Sequence, residues 1–166
     1  MPPRTYEIQS AYQLQAVTGS DVVGWAVDAL TAGFDSLSLR MLAGLERPLD
    51  DNEVRRLYAA SFRELGIESL QGDACWRFHT RSTLGSMLRG NLTRKAAMKH
   101  LSELCVRLGY PRELMDFYLL FYAMWDLEAQ EMSGHWKGAN RSNIADIVDD
   151  RSRAWLEAHR GGESGW

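Results

Sequence analysis

Apolar residues return along this chain at intervals of three and four, and almost nowhere at intervals of two. That period belongs to helices rather than strands. Ser20 is a natural N-cap, with Asp21 in the first turn, and Val22, Val23, Ala26, Ala29 and Leu30 then stripe one face as far as Gly33. Asp35 or Ser36 opens a short helix carrying Leu37, Leu39, Met41 and Leu42, which Gly44 closes. The connector Arg47-Pro48-Leu49-Asp50-Asp51 ends in a cap. Beyond it Val54, Leu57, Tyr58, Phe62 and Leu65 form a clean stripe, with Arg55, Arg56, Arg63 and Glu64 on the other faces and Gly66 as the stop.

The punctuation continues in the second half. A helix is predicted over 74–89 with Gly90 behind it, and another from the cap Thr93 through Ala97, Leu101, Leu104, Cys105 and Leu108 to Gly109. Pro111 suits a first helical turn, where its missing N–H is no loss. From there to about Glu131 the pattern is apolar on nearly every side, across Phe117, Tyr118, Leu119, Leu120, Phe121, Tyr122, Met124 and Trp125, which predicts the buried centre of a bundle. Ser133 to Arg141 reads as a loop, and Ser142 or Asn143 caps a last helix with Ile144, Ile147, Val148, Trp155 and Leu156. Residues 1–19 fit a helix loosely through Ile8, Tyr12, Leu14 and Val17, and 161–166 read as a frayed tail. The expected fold is all-α: one domain over 1–166, an irregular bundle of six to eight helices around the aromatic-rich helix at about 111–131.

One stretch is more specific than periodicity requires. Trp25-Ala26-Val27-Asp28-Ala29-Leu30, Gly33-Phe34-Asp35-Ser36 and Leu39-Arg40-Met41-Leu42-Ala43-Gly44-Leu45 follow a W-A-x-x-A-L-x-x-G-x-D-S-x-x-L-R-x-L-A-G-L-like pattern. Asp51, Glu53-Val54, Leu57 and Glu64-Leu65-Gly66 extend it, with a weaker echo at 88–92 and 114–118. The pattern resembles that of a family of small, uncharacterised all-helical bacterial proteins, over about residues 20–125. The resemblance implies a helical fold and a bacterial, cytoplasmic setting, and brings no activity and no site residues with it. Physically the motif describes two helices turning a corner.

Composition narrows the class. The chain of 166 residues is 45% hydrophobic and 25% charged, which suits a folded domain. A net charge of −3 gives no global field for a polyanion. The opening residues lack the apolar run of a signal peptide, and the most apolar stretch, 117–125, is bracketed by Asp116 and Asp126 and falls well short of the roughly 20 residues that span a bilayer. Cys75 and Cys105 allow at most one bridge, so reduced thiols in the cytoplasm are expected.

Four constellations are candidates for chemistry. Cys75 and His79 share a helical face, and His100 with Cys105 on the next helix would complete a Cys2His2 zinc set; otherwise both cysteines are small core residues. Asp126, Glu128, Glu131 and His135 put three ligand types at helical spacing, against the alternative of a solvated acidic helix end. Residues 77–112 carry a charge of +7, from Arg77, Arg81, Arg89, Arg94, Lys95, Lys99, Arg107 and Arg112 against Glu103, whereas 113–131 carry −5. Such segregation suits an acidic partner or, around Gly109-Tyr110-Pro111, a helix–turn–helix outline, or else two helices that pair with each other. Trp136 in a Gly-rich loop could anchor a partner or fold back on the core.

The leading expectation is a non-catalytic cytoplasmic protein that binds another protein, regulatory or immunity-like, through Arg77, Arg81, Arg94, Lys99 and Trp136, with no cofactor and no metal. A metal-dependent enzyme or metal-binding bundle and a nucleic-acid binder using the basic helices of 77–112 stand as alternatives.

Overall fold

Side-chain caps and left-handed glycines divide the chain into helices. The computed structural model describes residues 1–160, so the tail expected at 161–166 lies outside the described residues. In order run α1 (Thr5–Gln13), α2 (Gly19–Thr31), α3 (Leu37–Ala43), α4 (Asp51–Glu64), α5 (Asp73–Leu88), α6 (Arg94–Arg107), α7 (Met115–Ala129) and α8 (Ile144–Ala158), with a 3-10 turn at Arg112–Leu114 before α7. The fold is all-α, and among the described residues β pairing is confined to an isolated bridge between Met132 and Asn140.

Ser36, Asp50 and Thr93 accept hydrogen bonds from the N–H groups of Leu39, Glu53 and Ala96, satisfying donors that a helix start leaves open. Gly33, Gly66, Gly90 and Gly109 follow α2, α4, α5 and α6 at positive φ, where a side chain would be strained. The start of α2 differs from expectation. Thr18, not Ser20, is the cap, and Asp21 reaches back to accept from both its N–H and its hydroxyl at 2.7 Å.

The chain gathers into two compact units, Met1–His79 and Thr80 onward, dividing within α5. In the first unit α2 packs on α1, α3 and α4, and α3 on α4. Its core joins Val22, Trp25, Ala26 and Ala29 of α2, Leu39 and Leu42 of α3, and Val54, Leu57, Tyr58 and Phe62 of α4. The family-like motif is this corner: Gly33 ends α2, Ser36 starts α3, and Leu39 and Leu42 are buried. Glu64 adds a tie from α4 to α3, accepting from the Ser38 N–H at 2.9 Å and its hydroxyl at 2.5 Å.

In the second unit α6 and α8 both pack on α7. Phe117, Leu120, Ala123 and Leu127 form the buried line of α7, and Phe117 meets the Trp155 ring of α8 edge-on. Burying a side chain of Phe or Leu size contributes about 1.5–3 kcal/mol. The helix predicted over about 111–131 comprises the 3-10 turn at Arg112–Leu114 and α7. Pro111 precedes the 3-10 turn, and α7 stops at Ala129. Burial is confined to one side, and Trp125 is 60% exposed. A buried aromatic cluster lies in the first unit, among Tyr12, Trp25, Tyr58 and Phe62. Among the described residues no helix is long and apolar enough to cross a membrane.

Candidate functional site

Of the basic residues singled out by charge, Arg77, Arg81, Arg94, Lys95 and Lys99 are engaged by the chain's own groups. Arg94 on α6 grips Asp149 on α8 with two parallel bonds of 2.8 Å. Lys95 meets Glu128 on α7, and Arg151 on α8 meets Asp116 on α7. Arg77 pairs with Asp73 at 3.5 Å and lies over the Trp76 ring. Arg81 donates to the His159 carbonyl, and Lys99 lies 3.8 Å from Glu103. Much of the opposed charge at 77–112 and 113–131 is thus spent on pairs between and within helices. Arg77 belongs to the first unit and Arg81, Arg94, Lys99 and Trp136 to the second. Trp136 is half-buried, with the Arg151 guanidinium 5.8 Å from its ring centroid.

The metal candidates do not assemble. No group of three His, Cys, Asp or Glu side chains suited to a metal ion occurs among the described residues. Cys75 is buried beside the Ser10 carbonyl and Cys105 beside the Met115 sulfur, and burial pushes both thiols up. The shared helical face of Glu128, Glu131 and His135 is not formed, because α7 ends before Glu131. Asp126 causes a different geometry there. Its Oδ2 accepts from the Ser133 hydroxyl at 2.9 Å and the Gly134 N–H at 3.0 Å, and lies 2.8 Å from His135 Nδ1. These contacts, with His135 foremost, hold the Asp126 carboxyl below its ordinary range and fold the chain back after α7.

What α7 presents away from its buried line is a run of rings. Tyr110 meets Tyr118 edge-on at 5.4 Å, Tyr118 meets Tyr122 at 4.9 Å, and Tyr122 stacks on Trp125 at 6.1 Å with an angle of 15°. Phe121 touches both Tyr122 and Trp125. Tyr110 is 51% exposed and Met132 65%, while Tyr118, Phe121 and Tyr122 are half-buried. A hollow of about 330 Å³ opens beside Phe121, Met124 and Trp125, edged by Lys95 and Glu128. The sequence signal for this face was the same all-round apolarity that suggested full burial. Rings at a surface give an identical pattern to rings in a core.

A larger cavity, about 710 Å³, lies within the first unit. One face of α4 lines it with Asp51, Arg55, Tyr58, Ala59 and Phe62, and α1 adds Gln9, Tyr12 and Gln13. The connector between α1 and α2 supplies Gln15, Val17 and Thr18, Gly19 follows at the start of α2, and Ser69 completes the wall. Tyr58 is 7% exposed, and among the described residues its hydroxyl has no hydrogen-bond partner, nor does Nε1 of Trp25, which lies behind it outside the lining. Burial pushes the Tyr58 phenol far above its ordinary range, so it remains a neutral hydroxyl. Sequence reading missed this cavity. Its residues come from three separated segments, and the Tyr58 stripe reads as plain core.

Set against family models, curated proteins and solved structures, the chain matches none.

Proposed function

We propose that this chain is a non-catalytic, cytoplasmic bacterial protein that binds another protein on the aromatic face of α7. The observation that carries the reading is the continuous run Tyr110, Tyr118, Tyr122 and Trp125, ending in an indole 60% exposed. Large rings held at a surface leave apolar area in water, and tyrosine and tryptophan are the side chains that concentrate binding energy when a partner covers them. Such a face supplies contact area and shape rather than a nucleophile or a proton relay, so it favours recognition over reaction. Because Arg94, Lys95 and Arg151 are engaged by Asp149, Glu128 and Asp116, little of the local charge is left to steer a partner. Association through this face is therefore only weakly salt-dependent, unlike contact with an acidic protein or a nucleic acid. A toxin or secretion gene beside the coding sequence would favour the regulatory or immunity-type form of this reading.

The test is a photoreactive residue at position 125, introduced into the protein in its native cells, with a control at the exposed Arg63 of α4. One discrete adduct with a second protein at 125 and none at 63 supports the proposal. No adduct, or adducts only with another copy of the same chain, overturns it.

A further inference from the structure

We infer that the partner on the α7 face docks as an amphipathic helix lying antiparallel to α7, with one large aliphatic side chain seated in the hollow beside Phe121. The inference rests on the proposed role of that face and names the shape of what covers it. The make-up of the hollow is the first argument. Phe121, Met124, Trp125 and Glu128 line it, and Lys95 of α6 closes one edge. These four α7 residues stand at i, i+3, i+4 and i+7, the hole that a helix presents to a single side chain of a facing helix.

The second argument is the repeat. Tyr118, Phe121, Tyr122 and Trp125 frame another set with the same spacing, three residues earlier on the same face. Three residues of helix rise by about 4.5 Å. Side chains three apart on a partner helix share that rise and meet both sets. Neighbours on one face of a strand are about 6.6 Å apart and miss the second. The backbone groups of α7 are also spent inside the helix, so this face gives a strand no edge to pair with. The opposite, buried line of α7 is already taken by α6 and α8.

Charge sets the direction. Glu113, Asp116, Asp126 and Glu128, at the two ends of α7, are engaged by His159, Arg151, His135 and Lys95. Arg112, just before the helix, and Glu131, just after it, are exposed and form no ion pair among the described residues. Their signs add to the helix dipole, which is positive at the N-terminus and negative at the C-terminus. An antiparallel helix brings its negative end to Arg112 and its positive end to Glu131, whereas a parallel one sets like against like. Two exposed charges orient a partner without supplying much affinity, in keeping with weak salt dependence.

The experiment walks a cross-linker along the ridge. Tyr118, Tyr122 or Trp125 of the full chain is replaced singly by azidophenylalanine, a ring close in size to tyrosine, and the cross-linked residue of the partner is read by mass spectrometry. As the label moves from 118 to 125, the adduct should move about seven residues toward the partner's N-terminus, within one continuous segment. A strand would shift it by about three. Arg112→Glu combined with Glu131→Arg keeps the net charge and should lower the adduct yield at 125 at least about threefold. Adducts that move by about three residues, move toward the partner's C-terminus or scatter over separate segments overturn the inference and leave the proposed role of the face standing. An unchanged yield in the charge-swapped variant overturns the antiparallel orientation in the same way. The absence of any adduct at 125 removes both.

Discussion

The carboxylate of Asp126 decides where α7 ends. Ser133, Gly134 and His135 converge on one of its oxygens, and the Ser133 hydroxyl in turn accepts from the His135 N–H at 3.0 Å. Replacing Asp126 by Ala removes all three contacts while leaving the buried line of α7 untouched. Amide exchange at Gly134 and His135 should then accelerate about tenfold, with protection inside α7 unchanged, a local opening and not a global one. Exchange that speeds equally in α7 and in the loop would show that Asp126 supports the helix itself. No periodicity announces such a residue. Its partners lie seven to nine positions downstream, and their convergence depends on the turn they create. The same limit hid the role of Glu64, whose two bonds to Ser38 tie α4 to the start of α3 across 26 residues. Caps were legible for the opposite reason. Ser36 and Leu39, Asp50 and Glu53, and Thr93 and Ala96 are three apart, so the interaction is local and the sequence carries it whole.

At the scale of helices, opposed charge joins α6, α7 and α8 to one another. Arg94 meets both oxygens of Asp149, whose side chain is only 16% exposed, and this pairing holds the Asp149 carboxyl low. Arg94→Ala should lower stability by about 1 kcal/mol, near the upper limit for a partly exposed pair because the geometry is bidentate. A double-mutant cycle with Asp149→Asn in urea isolates that coupling, and a value indistinguishable from zero would reduce the pair to a solvent contact. The helices themselves, the stops at Gly33, Gly66, Gly90 and Gly109, and the all-α class could be read from spacing. The side of α7 that meets solvent could not, because hydrophobicity records a residue's preference and not whether a neighbour exists to satisfy it. Trp125→Ala tests that side. Its stability should stay within about 0.5 kcal/mol of the parent, as for other surface changes. The cross-linked partner should bind at least about tenfold more weakly if Trp125 is an anchor. A variant that loses stability but keeps its partner would mark the indole as structural.

Across the whole molecule, stability should fall in acid, and the sign follows from four carboxyls spread over both units. Thr18 holds Asp21 low, Ser38 holds Glu64 low, His135 holds Asp126 low and Arg94 holds Asp149 low, each chiefly by hydrogen bonds to the ionised form. In the unfolded chain these groups titrate near pH 4. Between that value and their lower folded values the unfolded state binds more protons, so stability rises with pH through this window. The full contribution is present above it and drains away as pH falls through the folded values. Urea midpoints should therefore drop between about pH 5 and pH 3. Glu64→Gln with Asp149→Asn should start lower at the upper end of that range and fall less steeply, because two of the four groups no longer titrate. Amide exchange at the acid end should rise in the first unit, which holds Asp21 and Glu64, as well as in the second. A double variant with the parent's slope would mean that these carboxyls bond no better folded than unfolded, and acid sensitivity confined to one unit would remove the other unit's pair from the account.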